Sequence, residues 1–317
     1  MDSKKTNKII ITGAAGLVGQ NLILLLTKEG YSNILAIDKH EYNLNILKKL
    51  NPSIKTIKAD LSKSGNWEKN FKDSHILIQL HAQITGKTEE PFYKNNILAT
   101  KNVLNVMRKN NFNHLLHVSS SVVNSASNDF YTNTKKLQEK IVIASGLPYT
   151  ILRPTLMFGW FDPKHLGWLS RFMAKIPIFP IPGNGNYIRQ PLYVMDFCKI
   201  ISKCLKLNPS NKTFDIVGQE KVYYIDIMRN IKKAKKLRTL ILRIPYKLFY
   251  VLLKIYAIFS KNPPFVADQL KALTAGDEFI GVDMEKTFQV KPTIFKKAIL
   301  ETFTNEKYSN VVLKKYE

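Results

Sequence analysis

Cysteine is almost missing from this sequence. Cys198 and Cys204 are the only two in 317 residues, so no disulfide framework and no paired-CxxC zinc site can be built. The six histidines show no metal-ligand spacing either, and no metal site is read. Acidic side chains are scarce: 24 Asp and Glu face 48 Lys and Arg, a formal charge of +24. Such a surplus attracts polyanions, anionic lipid surfaces and phosphorylated small molecules alike. No zinc finger, RNP or basic-zipper pattern accompanies it, so nucleic acid is not read as a partner. Uninterrupted apolar runs are also absent. The longest, Leu240 to Phe259, is broken by Arg243, Pro245, Lys247 and Lys254, whereas a membrane-spanning helix needs about 20 mostly apolar residues. Met1 to Lys8 is polar and Ile9-Ile10-Ile11 enters a glycine turn at once, so no secretory signal is read. A reducing, cytoplasmic setting is the expectation.

Hydrophobic residues make up 45% of the chain, enough for a sizeable core. In the first half, apolar strand patterns alternate with helical ones. Lys8–Thr12, Ile34–Asp38, Ile54–Ala59, Ile76–His81, Leu115–Ser119 and Tyr149–Arg153 read as strands. Leu17–Lys28, Leu44–Leu50, Trp67–Phe71, Phe92–Lys109 and Tyr131–Ala144 read as helices. Repeated β-α units with right-handed crossovers predict an α/β fold, a doubly wound parallel sheet of the Rossmann kind. After Pro154 prolines and glycines crowd a short region, which suggests irregular substrate loops. Met195–Leu205 then reads as helix and Thr213–Val217 as a strand returning to the sheet. From Gly218 the pattern is mostly helical, with a break at Asn262-Pro263-Pro264. The expected organisation is a dinucleotide-binding domain, residues 1–155 plus about 190–218. A smaller, mainly helical C-terminal substrate lobe would take about 156–189 plus 219–317.

The strand Lys8–Thr12 runs straight into Gly13-Ala14-Ala15-Gly16-Leu17-Val18-Gly19 and then into an amphipathic helix. Glycines permit the tight turn and let the backbone approach a pyrophosphate, and the helix aims its first N–H groups at the negative charge. Strand before and helix after are the context that this motif requires. Asp38 ends the second strand, 19 residues after Gly19. A carboxylate there accepts both ribose hydroxyls of NAD and repels a 2′-phosphate, which favours NAD over NADP; the adjacent Lys39 softens the repulsion. Asp60 follows the third strand and is placed to meet the adenine. The competing reading makes Asp38 and Asp60 ordinary turn residues at strand ends.

Six motifs occur in order: Thr12-Gly13-Ala14-Ala15-Gly16-Leu17-Val18-Gly19 with Asp38, Asp60-Leu61, Leu80-His81-Ala82, Ser119-Ser120-Ser121, Tyr131-x-x-x-Lys135 and Leu152-Arg153-Pro154. Each alone is unspecific, but the ordered set resembles the extended short-chain dehydrogenase/reductases, specifically the NAD-dependent epimerase/dehydratase family. The likeness is clear over about residues 8–218 and loose beyond. It implies a cofactor site of Gly13, Ala15, Gly16, Leu17, Val18, Gly19, Asp38, Asp60, Leu61, His81, Ala82, Lys135 and Pro154. It implies a catalytic set of Ser121, Tyr131 and Lys135. Aligning the triple serine with the pattern of UDP-galactose 4-epimerases puts the last serine, not Ser120, in the catalytic place.

The chemistry of that set is sound. Tyr131 and Lys135 stand at i and i+4, on one helix face. A phenol's reference pKa is about 10, and a nearby ammonium together with a positively charged nicotinamide favours the phenolate. Lys135 would also hold the nicotinamide ribose, and Ser121 would share the proton of a substrate alcohol. Without the glycine loop and Ser121, a solvated helix pair would be the better reading of Tyr131 and Lys135.

The resemblance also bears on the reaction. Nucleotide-sugar 4,6-dehydratases carry an Asp-Glu pair directly after the strand-five hydroxyl, and here Val122 and Val123 stand there. A dehydratase is therefore disfavoured, leaving an epimerase or a 4-ketoreductase acting on a nucleotide sugar. Ile188-Arg189-Gln190-Pro191-Leu192 resembles the epimerase segment whose arginine pairs with the nucleotide pyrophosphate, which implies that role for Arg189; a surface arginine at a strand edge is the plain alternative. The family's asparagine after the Arg-Pro strand is missing from Arg153-Pro154-Thr155-Leu156-Met157, so a sugar-nucleotide contact is lost or replaced. Ser121 and Tyr131 are only ten positions apart, which makes the intervening loop compact.

His117 reads as a satisfied core histidine. Trp160, Phe161, Trp168 and Phe172 either stack on a base or sugar or pack between lobes. Lys232, Lys233, Lys235, Lys236 and Arg238 precede the apolar run to Phe259. Residues 232–259 are either a solvated face leading into a helix or a peripheral membrane contact. Family members are often dimers, so a homodimer is open. A second functional class also stays open: a non-catalytic dinucleotide-binding subunit of a membrane-associated complex.

Overall fold

The computed structural model describes residues 7–110, 112–259, 270, 273–276 and 278–314. Its centre is a seven-stranded, wholly parallel sheet built from β1 (Ile9–Thr12), β2 (Ile34–Asp38), β3 (Lys55–Lys58), β4 (Ile76–Gln79), β5 (His114–Val118), β6 (Tyr149–Pro154) and β11 (Lys212–Ile216). The spatial order is β11-β6-β5-β4-β1-β2-β3. The chain therefore winds outward from β1 in one direction and, from β4, in the other. The switch between β1 and β4 opens a crevice at the carboxyl ends of the strands, where ligands of such sheets bind.

The side-chain alternation of the strands explains why both faces are covered. Ile9, Ile11, Ile34 and Ala36 enter one core, with Leu22, Ile23 and Leu26 of α1 (Leu17–Lys28) and Phe197, Ile200, Ile201 and Cys204 of α7 (Val194–Leu207). Ile10, Leu35 and Ile37 enter the opposite core, with Val103, Leu104 and Met107 of α4 (Ala99–Lys109) and Val142 of α5 (Phe130–Ile143). Successive residues of one strand point to opposite faces, so an unbroken apolar run marks a strand buried on both. The doubly wound sheet expected from the β-α rhythm is present.

The span predicted as one helix, Phe92–Lys109, is subdivided into a turn of α3 (Glu89–Phe92), a π-helical segment Tyr93–Leu98, and α4. The π segment turns Asn96 inward, where its amide donates to the carbonyl of Gln83 and to Thr134 Oγ1.

Beyond Pro154 short pieces of strand are interleaved with helices. β7 (Met157–Phe158) pairs with β10 (Leu192–Tyr193), and β9 (Ile188–Arg189) with β12 (Val222–Tyr223). α6 (His165–Met173), α8 (Tyr224–Ala234) and the helix Phe295–Thr304 enclose a separate core around Phe158, Phe179, Ile181 and Met228. The C-terminal part is less helical than the sequence suggested. The run Leu240–Phe259 splits at Pro245 into β13 (Leu240–Ile244), parallel to β8 (Ile178–Pro182), and α9 (Tyr246–Phe259). A residue before proline is biased toward extended backbone, and proline itself suits a helix start. The expected break at Asn262-Pro263-Pro264 lies outside the described residues.

Candidate active site

A cavity of about 470 Å3 occupies the crevice at the switch point. Gly13, Gly16, Leu17, Val18 and Gly19 form part of its wall, and the three glycines do different things. Gly13 has φ +69°, and a Cβ on it would lie 2.5 Å from the backbone nitrogen of His81. It is thus a turn glycine pressed against the end of β4. A Cβ on Gly19 would come within 2.3 Å of the Ala14 carbonyl, so this glycine lets the helix close on the loop. At Gly16 the nearest atom to an added Cβ is 3.4 Å away, so protein leaves room there. Gly16 also caps α1 without any side-chain hydrogen bond. Open space before helix N–H groups with no side-chain cap fits a phosphate.

Asp38 is almost fully buried at the tip of β2 and lines the same cavity. Its Oδ2 accepts from the Ala15 N–H at 2.9 Å and its Oδ1 from the His40 N–H at 2.9 Å. An ionised carboxylate only accepts hydrogen bonds, so the groups that suit it are N–H and O–H donors such as ribose hydroxyls. Lys39, which could soften its repulsion of a phosphate, donates to Asn95 Oδ1 at 3.0 Å. Asp60 and Leu61 line the wall beside it. Burial pushes the Asp60 carboxyl up, but hydrogen bonds from Ser62 and the nearby Lys39 and Lys63 outweigh it and lower its pKa.

His81, Ala82 and Pro154 also line the cavity. The Nδ1 of His81 sits 2.9 Å from Thr12 Oγ1. Thr100 Oγ1 accepts from the amides of Gln79 and Gln138, which leaves its proton for His81 Nε2 at 3.4 Å. The network therefore assigns the ring proton to Nδ1. Burial, with Lys135 and Lys39 nearby, lowers the His81 pKa to about 3, so the ring is a neutral, fixed wall and not a titrating base. His117 is core, as expected, but not satisfied: it is fully buried and neither ring nitrogen has a hydrogen-bond partner.

Ser120, Ser121 and Tyr131 line the cavity across the switch point from Asp38. Ser121 begins a 3-10 turn, Ser121–Asn124, which Ser120 caps. Asp129 caps α5, accepting from Thr132 N–H at 2.9 Å, and so fixes the first turn carrying Tyr131. The compact loop between them is tied down by Asn124, which donates to Asp215 and accepts from Arg153. Burial raises the Tyr131 pKa, and a hydrogen bond with the Ser120 side chain partly lowers it. Ser120 is thus the serine whose side chain bears on the pKa of the phenol; Ser121 lines the same cavity one residue further on. In the sequence the choice between Ser120 and Ser121 rests on alignment alone, because adjacent hydroxyls are distinguished only by the turn that follows them.

Lys135 lies behind the wall, fully buried. Its ammonium donates to the Val118 carbonyl at 3.1 Å and to Gln138 Oε1 at 2.5 Å. Burial brings its pKa down to about 7, with Glu139 opposing. Glu139 is itself held by Arg153 through two hydrogen bonds, of 3.0 and 2.7 Å. A lysine with its folded pKa below its unfolded one costs stability while it must carry its proton. That cost is fully present below about pH 7 and fades as pH rises toward 10.5. Relative to Lys135→Met, the wild-type chain should therefore gain stability across that window in urea unfolding; parallel pH profiles would show an ordinary lysine.

Arg189 is not among the cavity-lining residues. It lies on β9, and its guanidinium donates to the carbonyl of Leu273. Basic side chains that do line the cavity are Lys39, Lys164, His165 and Lys314. Where the family's asparagine is missing the lining residues are Leu156 and Met157, and Val122, Ile84 and Phe279 add further apolar side chains to the cavity. The aromatic cluster is packing: Trp160 and Phe161 close on Tyr308, and Trp168 stacks on Phe172 at 5.2 Å. Leu313 and Lys314 reach the cavity from the far end of the chain. Asn43 holds Lys314 on both sides, its amide donating to the Lys314 carbonyl and its Oδ1 accepting the Lys314 N–H. Nothing local in the sequence signals that return.

A parallel sheet that turns on glycines at β1 and ends β2 in a buried carboxylate is a dinucleotide-binding architecture. The chain belongs to the NAD dependent epimerase/dehydratase family, which it matches over residues 9–217. A Methanocaldococcus jannaschii protein assigned as a UDP-glucose 4-epimerase is 29% identical over 243 residues, covering 67% of this chain and 77% of its own length. The mitochondrial NADH dehydrogenase [ubiquinone] 1 alpha subcomplex subunit 9 of Dictyostelium discoideum is 22% identical over 267 residues, 82% of this chain and 73% of its own. Among solved structures, the UDP-glucuronic acid 4-epimerase of Bacillus cereus, in complex with NAD, shares the fold with TM-score 0.69 and 20% identity, over 93% of this chain and 96% of its own.

Proposed function

We propose that the chain is an NAD-dependent oxidoreductase acting at one carbon of a nucleotide sugar, as an epimerase or a 4-ketoreductase. One observation carries this reading: a single cavity is lined by the glycine loop and Asp38 on one side of the switch point and by Ser120, Ser121 and Tyr131 on the other. The glycine loop and Asp38 suit the phosphates and ribose of NAD, whose nicotinamide would accept or return a hydride. Tyr131 takes the proton of the substrate hydroxyl, and a serine hydroxyl donates to the same oxygen as it becomes a carbonyl. Lys135, held by Val118 and Gln138, stands one helical turn after Tyr131 as the cation that would favour its phenolate once the cofactor is bound.

Val122 and Val123 offer no group to move the additional protons of a water elimination, which favours simple oxidation and reduction over dehydration. The apolar wall at Leu156 and Met157 replaces a polar contact, so the sugar is recognised differently from the family pattern. Native mass spectrometry of the purified chain, followed by assay with UDP-glucose and UDP-glucuronic acid, tests the reading. Retained NAD with no external cofactor demand is expected of an epimerase, and exchangeable cofactor of a reductase. A chain that binds no dinucleotide would refute both.

A second reading has its own support in the similarity to the NADH dehydrogenase subunit. In it the chain binds a dinucleotide without turnover inside a larger assembly. Obligate co-purification with membrane-complex partners, and Tyr131→Phe indistinguishable from wild type, would favour it.

A further inference from the structure

α9 divides its surface unequally. Phe249 packs inward and is 9% exposed, whereas Leu248, Val251, Leu252, Ile255 and Tyr256 are 45–51% exposed. These five recur at spacings of three and four residues, so they form one apolar stripe along the helix. The preceding strand does the same. Leu240 (63% exposed) and Leu242 (50%) share a face of β13, and Ile178 (48%), the register partner of Leu240 on β8, stands beside them. Exposed apolar side chains concentrated on two consecutive elements exceed the scattered single residues of an ordinary surface.

The charges around this surface have one sign. Between Asp226 and Asp268 the sequence holds no acidic residue and ten lysines or arginines. Lys233, Lys236, Arg238, Arg243, Lys247 and Lys254 are exposed in and around the two elements. An apolar stripe flanked in sequence by cations complements a surface with an anionic rim and an apolar interior. α9 has 14 residues, about 21 Å at 1.5 Å per residue, and no helix among the described residues is long and apolar enough to cross a membrane. Such a helix lies in an interface and does not span it.

We propose that β13 and α9 form a docking surface for an anionic lipid bilayer. Leu248, Leu252 and Ile255 enter the headgroup boundary, and the flanking lysines and arginines meet the lipid phosphates. The proposal stands independently of the reaction assigned to the cavity.

Flotation of the purified full chain tests it. One set of vesicles is phosphatidylcholine alone; the other contains about one-third phosphatidylglycerol, with salt at roughly 0.15 M. Binding to the anionic vesicles only is expected. Leu252→Glu combined with Ile255→Glu should weaken it more than about tenfold, with unchanged circular dichroism and unchanged NAD retention. Lys233→Glu with Lys236→Glu should weaken it by roughly fivefold per lysine lost and flatten its salt dependence. Absence of flotation with anionic vesicles would overturn the proposal, as would binding that survives the glutamate pair. A wild-type dimer that the glutamate pair converts to monomer, with no vesicle binding, would overturn it in favour of a second copy of the chain.

Discussion

Tyr131→Phe is expected to lower turnover by about a thousandfold while leaving dinucleotide binding within a few-fold of wild type, the ordinary loss when a positioned acid-base group is deleted. The substitution removes one oxygen from a half-buried side chain on the cavity wall, so folding should be preserved. Measuring kcat beside NAD retention separates the two effects. Serine replacements sharpen the result. The serine that donates to the substrate oxygen should cost about a hundredfold when changed to alanine, as deletion of a preorganised donor does. If Ser121 has that role, Ser120→Ala affects chiefly the phenol, whose pKa rises further without the Ser120 side chain, and the acid limb of the pH–rate profile, which follows deprotonation of Tyr131, moves upward. If Ser120 has it, the large loss follows Ser120→Ala and Ser121→Ala is mild. Full activity in Tyr131→Phe would remove the proposed mechanism altogether.

The second large effect comes from the glycines, which predict opposite kinds of damage. Gly13→Val places a β-branched residue at φ +69° with its Cβ 2.5 Å from the His81 backbone. Left-handed strain costs about 1–2 kcal/mol and overpacking about 1–3 kcal/mol more, so both thermal stability and cofactor retention should fall. Gly16→Val meets no protein atom closer than 3.4 Å at its Cβ, so stability should hold within about 1 kcal/mol while cofactor affinity collapses. Thermal denaturation with and without NAD reads both. A Gly16→Val chain that still gains stability from NAD as wild type does would show that the cofactor does not approach the loop there.

What could be foreseen divides along physical lines. The sheet was legible because Ile9 to Ile11 and Ile34 to Ile37 are short runs, apolar without interruption, that alternate with helical patterns, as strands covered on both faces do. The glycine turn and Asp38 were legible because the chemistry is local and the spacing short. Leu240 to Phe259 was less so, because an apolar run cannot announce whether it will be strand or helix; Pro245 decides, and the strand half also needs β8, sixty residues earlier, as a partner. Two-residue strands such as β7 and β9 are too short to show a period at all. Lys135 offered a family position but not its depth, since full burial depends on Val118 and Gln138 closing over it. Arg189 had the right neighbours in sequence, yet its strand holds it against Leu273.

The clasp between Asn43 and Lys314 bears on time. Leu313 and Lys314 lie on the same cavity wall as the glycine loop, and two hydrogen bonds, of 3.0 and 2.9 Å, fasten them there. A molecule that has to pass Leu313 and Lys314 on leaving would wait on that fastening. Its residence is then set by a segment some three hundred residues from the loop that recognises its phosphates, and trimming the clasp would shorten the stay without altering a single recognition contact at the loop.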